Sequence, residues 1–261
     1  KIKRLECIRQ GKALAFKKLE KSWQLSEKET TAKGNENKII NFLNTIQTAR
    51  VKEFVKERPE QLTSYGLDNP RLIVKLFDPE TNKSLSLSIG EKVDNGFYAK
   101  AFSGDNIFLV DQSLFDTINN CRLVDFMDKL LVDFKDEEVT NMTLRMSNEP
   151  VQLVRDIKDS QKWVIEKPVN TQANTATVNS LLFDLKNARI SEFINTSVTN
   201  KKMYGLDQPG KAITLTYKNG KTWALALGSQ VPKADHYFAR RTDEETVFTL
   251  KEIDVEKIFR P

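Results

Sequence analysis

One feature limits the possible folds of this chain more than any other: it repeats itself, so each framework residue must make structural sense twice. The segment beginning at Trp163 lies over the segment beginning at Trp23 with a separation that stays between 138 and 140 residues. Ala49, Arg50, Glu53 and Phe54 recur as Ala188, Arg189, Glu192 and Phe193. Tyr65-Gly66-Leu67-Asp68-Asn69-Pro70 recurs as Tyr204-Gly205-Leu206-Asp207-Gln208-Pro209. Gly90 and Val93 meet Gly228 and Val231, and Ala99, Phe108 and Ile118 meet Ala239, Phe248 and Ile258. The chain therefore reads as two copies of a unit of roughly 120 residues, an ordinary domain size. The expected units are residues 1–120 and 136–261. Residues 121–135 form an apolar connector containing Leu123, Phe126, Met127, Leu131 and Phe134, expected to pack between the units.

The duplication lets each element be predicted twice. Ile39, Phe42, Leu43 and Ile46 follow the i, i+3, i+4, i+7 pattern of one apolar helix face, as do Val178, Leu181, Leu182 and Leu185. Asn35 and Asn174 are the expected N-caps. Both copies then switch to short β-like runs, Leu72–Phe77, Ser84–Ile89, Phe97–Phe102 and Ile107–Val110 in the first. The second has Ala212–Tyr217, Thr222–Leu227, Tyr237–Arg241 and Thr246–Leu250. Asn219-Gly220 predicts a two-residue type I′ hairpin, and Asp78-Pro79-Glu80-Thr81-Asn82 is the looser turn of the first copy. Each unit opens on a further hairpin, turning at Gln10-Gly11 in one and at 147–150 in the other, before its Trp strand. A hairpin, a Trp strand, one main helix, a four-strand meander and a short closing helix make each unit α+β: an antiparallel sheet with segregated helices.

A duplicated motif favours architecture over catalysis, because an active site needs one copy and a framework needs both. In Tyr-Gly-Leu-Asp-x-Pro, Gly suits a left-handed turn, Leu anchors the turn to the core and Pro blocks helix ahead of a strand. The functional alternative is that Tyr65, Asp68, Tyr204 and Asp207 line two equivalent ligand sites. Trp23 and Trp163 read as core aromatics before they read as stacking platforms.

These residues also carry a family resemblance. A Trp, a polar stretch and a helix, then Tyr-Gly-Leu-x-x-Pro, an Ile89-Gly90 or Leu227-Gly228 strand end, and Tyr98-Ala99-Lys100 or Phe238-Ala239-Arg240, resemble the bacterial family known as domain of unknown function 4340. The run Phe126–Phe134 leading into Glu138-Val139 is similar to that family's connector, while Lys100 departs from the Arg of the second copy. The resemblance implies an N-terminal membrane anchor upstream of Lys1, a periplasmic-side location on the inner membrane, and a role beside ABC-type transport or gliding machinery. It implies no activity, no catalytic residue and no small-molecule cofactor.

Composition narrows the remaining classes. The 261 residues include a single histidine, His236, and two cysteines, Cys7 and Cys121, so an all-cysteine zinc site and a disulfide-dense scaffold are excluded. No run approaches the ~20 apolar residues of a membrane span. Phosphate-loop, nucleophile-elbow and His-Glu-x-x-His patterns are absent. His236 is expected at an exposed strand edge, with Asp235 pointing to the opposite face. Asp243-Glu244-Glu245 is the densest acidic cluster and is expected at a hairpin tip; an envelope enzyme acting on glycan or peptide through carboxylates is the alternative function. Cys7 and Cys121 could pair in an oxidising compartment or remain two buried thiols; 113 intervening residues leave both open.

The net charge of +5 is local. Lys1, Lys3, Arg4, Arg9, Lys12, Lys17, Lys18 and Lys21 face only Glu6 and Glu20 in the first 21 residues, and the other 240 hold 33 basic and 34 acidic groups. A balanced body offers no stripe for nucleic acid. A basic opening segment instead suits anionic lipid headgroups. The expected function is a non-enzymatic, membrane-tethered scaffold that binds a protein partner.

Overall fold

The computed structural model describes residues 2–78, 84–101, 104–146, 149–195, 200–242 and 244–260. The chain divides into two compact units, Lys1–Asp128 and Lys129–Pro261. The segment 121–135 is shared between them. Asp128 N–H donates to the Lys33 carbonyl at 2.8 Å in the first unit, and Ile190 N–H donates to the Lys129 carbonyl at 2.9 Å in the second.

In unit 1 the strands are β1 (Arg4–Arg9), β2 (Lys12–Lys18), β3 (Trp23–Glu27), β4 (Thr30–Gly34), β5 (Glu53–Lys56), β6 (Leu72–Phe77), β7 (Ser84–Val93), β8 (Gly96–Ala101) and β9 (Ile107–Val110). They form one nine-stranded antiparallel sheet in the order β4-β3-β2-β1-β6-β7-β8-β9-β5. The opening hairpin and the meander are thus a single sheet, joined where Cys7 of β1 lies opposite Val74 of β6. Alternation along paired strands puts Leu5, Cys7, Leu14, Phe16, Leu72, Val74, Ile89 and Ala99 on one buried face. Three helices cover it: α1 (Glu36–Thr48), α2 (Gln112–Asn119) and the one-turn α3 (Leu123–Phe126). Phe42 of α1 and Phe126 of α3 meet Phe16 at ring separations of 5.7 and 5.0 Å. Phe115 of α2 stacks on Phe97 at 3.9 Å.

Unit 2 repeats the plan. Its strands are β10 (Val139–Arg145), β11 (Val151–Arg155), β12 (Trp163–Lys167), β13 (Thr171–Gln172), β14 (Glu192–Asn195), β15 (Lys211–Tyr217), β16 (Thr222–Gln230), β17 (His236–Arg241) and β18 (Val247–Lys251). Their order, β13-β12-β11-β10-β15-β16-β17-β18-β14, is that of the first sheet. The helices are α4 (Thr175–Asn187) and α5 (Glu252–Ile258). All four expected face residues of α4 are buried, whereas in α1 only Ile39 and Phe42 are. Arg260 reaches back to Ser180 and Asp184 of α4, fastening the closing helix to the main one.

The α+β reading holds in both units, with two strands per copy beyond it. The short β4 and β13 extend the Trp strands, and β5 and β14 form the opposite edge by pairing with β9 and β18. Thr30–Gly34 and Glu53–Lys56 are too polar or too exposed to show a buried alternation; pairing with an existing edge makes them strands. The Asn219-Gly220 hairpin also forms, but with a three-residue loop. Gly220 N–H donates to the Tyr217 carbonyl at 2.8 Å, and Gly220 alone in that loop has positive φ, at 78°. This matches a type I turn followed by a left-handed glycine. The loop with two positive φ angles joins β1 to β2, at Gln10 (46°) and Gly11 (75°). The expected turns at 78–82 and 147–150 fall largely outside the described residues.

Both expected caps are made: the Asn35 side chain accepts from Lys38 N–H at 3.1 Å and that of Asn174 from Thr177 N–H at 3.2 Å. Replacing either by alanine is expected to cost about 1 kcal/mol in urea unfolding. A change confined to one copy locates the loss in that unit.

Candidate functional site

The duplicated hexapeptides occupy the same place in each unit, on the sheet face opposite the helices. Tyr65 ends a 3-10 turn at 63–65, and Gly66 follows it in the left-handed conformation at φ 62°. Tyr204 and Gly205 repeat this at φ 67°. The turn closes through Leu67 N–H to the Leu62 carbonyl at 3.1 Å and Leu206 N–H to the Lys201 carbonyl at 3.0 Å. Leu67 and Leu206 are buried. Leu206 packs with Ala226 and Val247, joined by Tyr204 and Phe238. The Tyr65 ring meets Tyr98 edge-on at 5.0 Å, as Tyr204 meets Phe238. Asp68 and Asp207 are exposed, and Pro70 and Pro209 are half-buried as the chain leads into β6 and β15.

The repeated Gly90 and Gly228 receive this turn. A side-chain carbon on Gly90 would lie 2.1 Å from the Tyr65 carbonyl oxygen, and one on Gly228 would lie 2.1 Å from that of Tyr204. Each glycine sits where its strand bulges, between Ile89 and Lys92 and between Leu227 and Gln230. The hexapeptides are thereby consumed in architecture, with their tyrosine rings edge-on against the sheet. The two tryptophans are likewise core residues. Trp163 lies fully buried beneath the Arg155 guanidinium at 4.3 Å, and Trp23 lies under the Lys18 ammonium at 5.6 Å. Burial withdraws the Arg155 guanidinium from water and lowers its pKa, against the pull of Asp136.

The residues of the basic opening segment do not form one surface. Lys1 lies outside the described residues. Arg9 and Lys18 lean to the helix-bearing side, where they pair with Glu27 at 3.8 Å and with Glu36. Arg4 pairs with Glu6 and covers the Phe77 ring at 4.7 Å on the other face. Lys17 lies directly across from Arg4, while Lys12 lies across from Arg9 at the far end of the hairpin. Lys3, Lys12, Lys17 and Lys21 are exposed.

A pocket of about 700 Å³ opens in unit 1 beside that hairpin tip, lined by Arg9, Lys12, Arg71, Glu27, Glu91 and Asn119 among others. Sequence reasoning missed it because its walls come from five separate segments. Carboxylate catalysis on a glycan needs two carboxyl groups flanking the scissile bond. In this pocket Glu27 faces Arg9, and Glu91 pairs with Arg71. Glu244 pairs with Arg241 at 2.7 Å, and Asp243 lies outside the described residues. His236 begins β17 opposite Lys251, half-buried. Among the described residues no group of three or more His, Cys, Asp or Glu is placed to hold a metal ion, and no helix is long and apolar enough to cross a membrane. Cys7 and Cys121 are both buried.

The tandem arrangement defines the class: a protein of two homologous α+β units, each a nine-stranded sheet with helices on one face and a glycine-seated turn on the other. The family model for a domain of unknown function (DUF4340) matches residues 3–162 and again 163–259, and the chain belongs to that family. No curated protein and no solved structure gives a significant match.

Alanine at Gly90 or Gly228 is expected to cost about 3 kcal/mol or more, because the obstacle is backbone and cannot rotate away. Gly210, with nothing within 4 Å of the point a side-chain carbon would occupy, is the control, expected to change by less than about 0.5 kcal/mol on the same substitution. Thermal and urea unfolding of the three variants check this.

Proposed function

We propose that this protein is a non-enzymatic, membrane-tethered scaffold on the extracytoplasmic side, held to the inner membrane by an anchor upstream of Lys1. It serves as an accessory to an ABC-type transport or surface-assembly system and acts by binding a protein partner. The observation that carries the binding role is the duplicated outer edge. β5 and β14 end their sheets, and equivalent positions on them, Val55 and Ile194, are exposed at 38% and 40%. In unit 1 the neighbouring Phe54 is also exposed, at 67%. An edge strand offers unpaired backbone N–H and C=O groups, and an extended segment of a partner can add to it as a further strand. Apolar side chains beside that edge give such an addition affinity. The repeated framework residues, by contrast, are spent on folding.

A photo-crosslinking side chain at position 55 of the full-length anchored protein, in its native membrane, is expected to capture a defined partner, and one at the exposed Lys92 is not. Equal labelling from both positions, or none from either, counts against the edge as the binding surface. The membrane-facing part of the proposal has its own check. Vesicle flotation is expected to rise with anionic lipid, and changing Lys3, Lys17 and Lys21 to Glu lowers it at ~1 kcal/mol per basic residue near the surface. Flotation indifferent to lipid charge removes the basic segment from the proposal.

A further inference from the structure

We propose that Cys7 and Cys121 form an intramolecular disulfide that staples the first strand of unit 1 to the segment by which the chain leaves that unit. The two positions are 114 residues apart in sequence, and the fold brings their buried thiols close enough to interact directly. Cys7 is fixed in β1, paired on both sides, opposite Leu14 of β2 and Val74 of β6. Cys121 lies in the turn between α2 and α3, and that turn is held to the same strand by Arg9, whose guanidinium donates to the Asn119 carbonyl. The two sulfur atoms are thus positioned from opposite sides by structure that does not depend on a bond between them. Unit 2 fills the matching place, opposite Ile213 on β15, with Leu144. A pair of cysteines is therefore not what the shared framework requires there.

The chemistry has a direction. The neighbouring Cys7 thiol lowers the pKa of Cys121, aided by the nearby Arg9 and opposed by burial. The same interaction, together with burial, pushes the Cys7 thiol up. Cys121 is then the attacking thiolate. It attacks one sulfur of an oxidant disulfide, either a dithiol oxidoreductase in its oxidised form or oxidised glutathione, and releases one oxidant thiolate. Cys7 then gives up its proton, attacks the Cys121 sulfur of the mixed disulfide, and releases the second oxidant thiolate. The oxidant gains two electrons, and the protons from the two protein thiols pass to its sulfurs. Cys121 is buried at 6% exposure, but its neighbours Asn120 and Arg122 are exposed, so a local opening of one turn admits the oxidant. Closure of the turn then shields the bond from reductants.

This proposal rests on the extracytoplasmic reading, because a cytosolic glutathione pool would keep the thiols reduced. The bond would also carry load past the fold of unit 1 between an upstream anchor and the second unit. The test uses the 261-residue chain, oxidised with glutathione disulfide, denatured and alkylated for intact-mass measurement. The expected product has lost two hydrogens and takes up no alkyl group, and it melts higher than the reduced chain by on the order of 10 °C. Cys7→Ser and Cys121→Ser each abolish both effects. Two alkylated cysteines after oxidation, or a stable glutathione adduct, overturns the proposal. In cells, acid-trapped alkylation beside a phosphatase fusion that reports location separates the two ideas. A reduced pair in a protein located outside overturns the disulfide. A fusion reporting a cytosolic location overturns the location, while the purified-chain result still decides the disulfide.

Discussion

Each unit depends on one close approach: a tyrosine carbonyl lying over a strand glycine that has no room for a side chain. Tyr65 over Gly90 and Tyr204 over Gly228 seat a left-handed turn on a β-bulge, which lets a loop cover the sheet face that the helices leave bare. The strand just inside the outer edge of each sheet, β9 or β18, is consequently covered from both sides. β18 shows it in sequence as an apolar run from Val247 to Leu250, interrupted only by Thr249, which is itself buried. Strands nearer the opening hairpin, with only one face covered, alternate instead.

The same arrangement separates framework from surface. The Trp, Tyr-Gly-Leu and strand-glycine positions are all used in packing, and they are the positions that agree between copies. Differences accumulate where packing does not fix the residue. Phe54 is open where Phe193 is covered; within the core itself, the buried Cys7 and Cys121 occupy one unit only. The basic opening hairpin is likewise confined to unit 1, and the sheet turns its charges onto two faces and both ends. These departures from the repeat are where function can differ between two units of one fold.

Much of the fold was legible because it was written twice. The helix faces, the asparagine caps and the meander strands were readable from periodicity, and the Leu72–Phe77 and Ile107–Val110 runs match their strands residue for residue. The edge strands were not legible, since Glu53–Lys56 carries no buried alternation and exists only by pairing with β9. The candidate sites were less legible still. The Arg9–Arg71 pocket and the Cys7–Cys121 contact join segments more than sixty residues apart, and no local pattern marks either. Asn219-Gly220 marked a hairpin correctly, but the choice between a two- and a three-residue loop came from the register of β15 against β16.

The sequence by itself determined that the chain is two copies of an α+β unit, where the main helix of each unit begins, and that Gly90 and Gly228 recur in both copies, because repetition exposes any residue a framework cannot vary. Only the tertiary structure decided why they recur, that hairpin and meander are one continuous sheet, and that two cysteines at opposite ends of a unit touch. Periodicity reports how a segment meets one neighbouring surface. A carbonyl over a glycine, an edge strand and a thiol pair each depend on two distant segments arriving at one point, which no single stretch of sequence encodes.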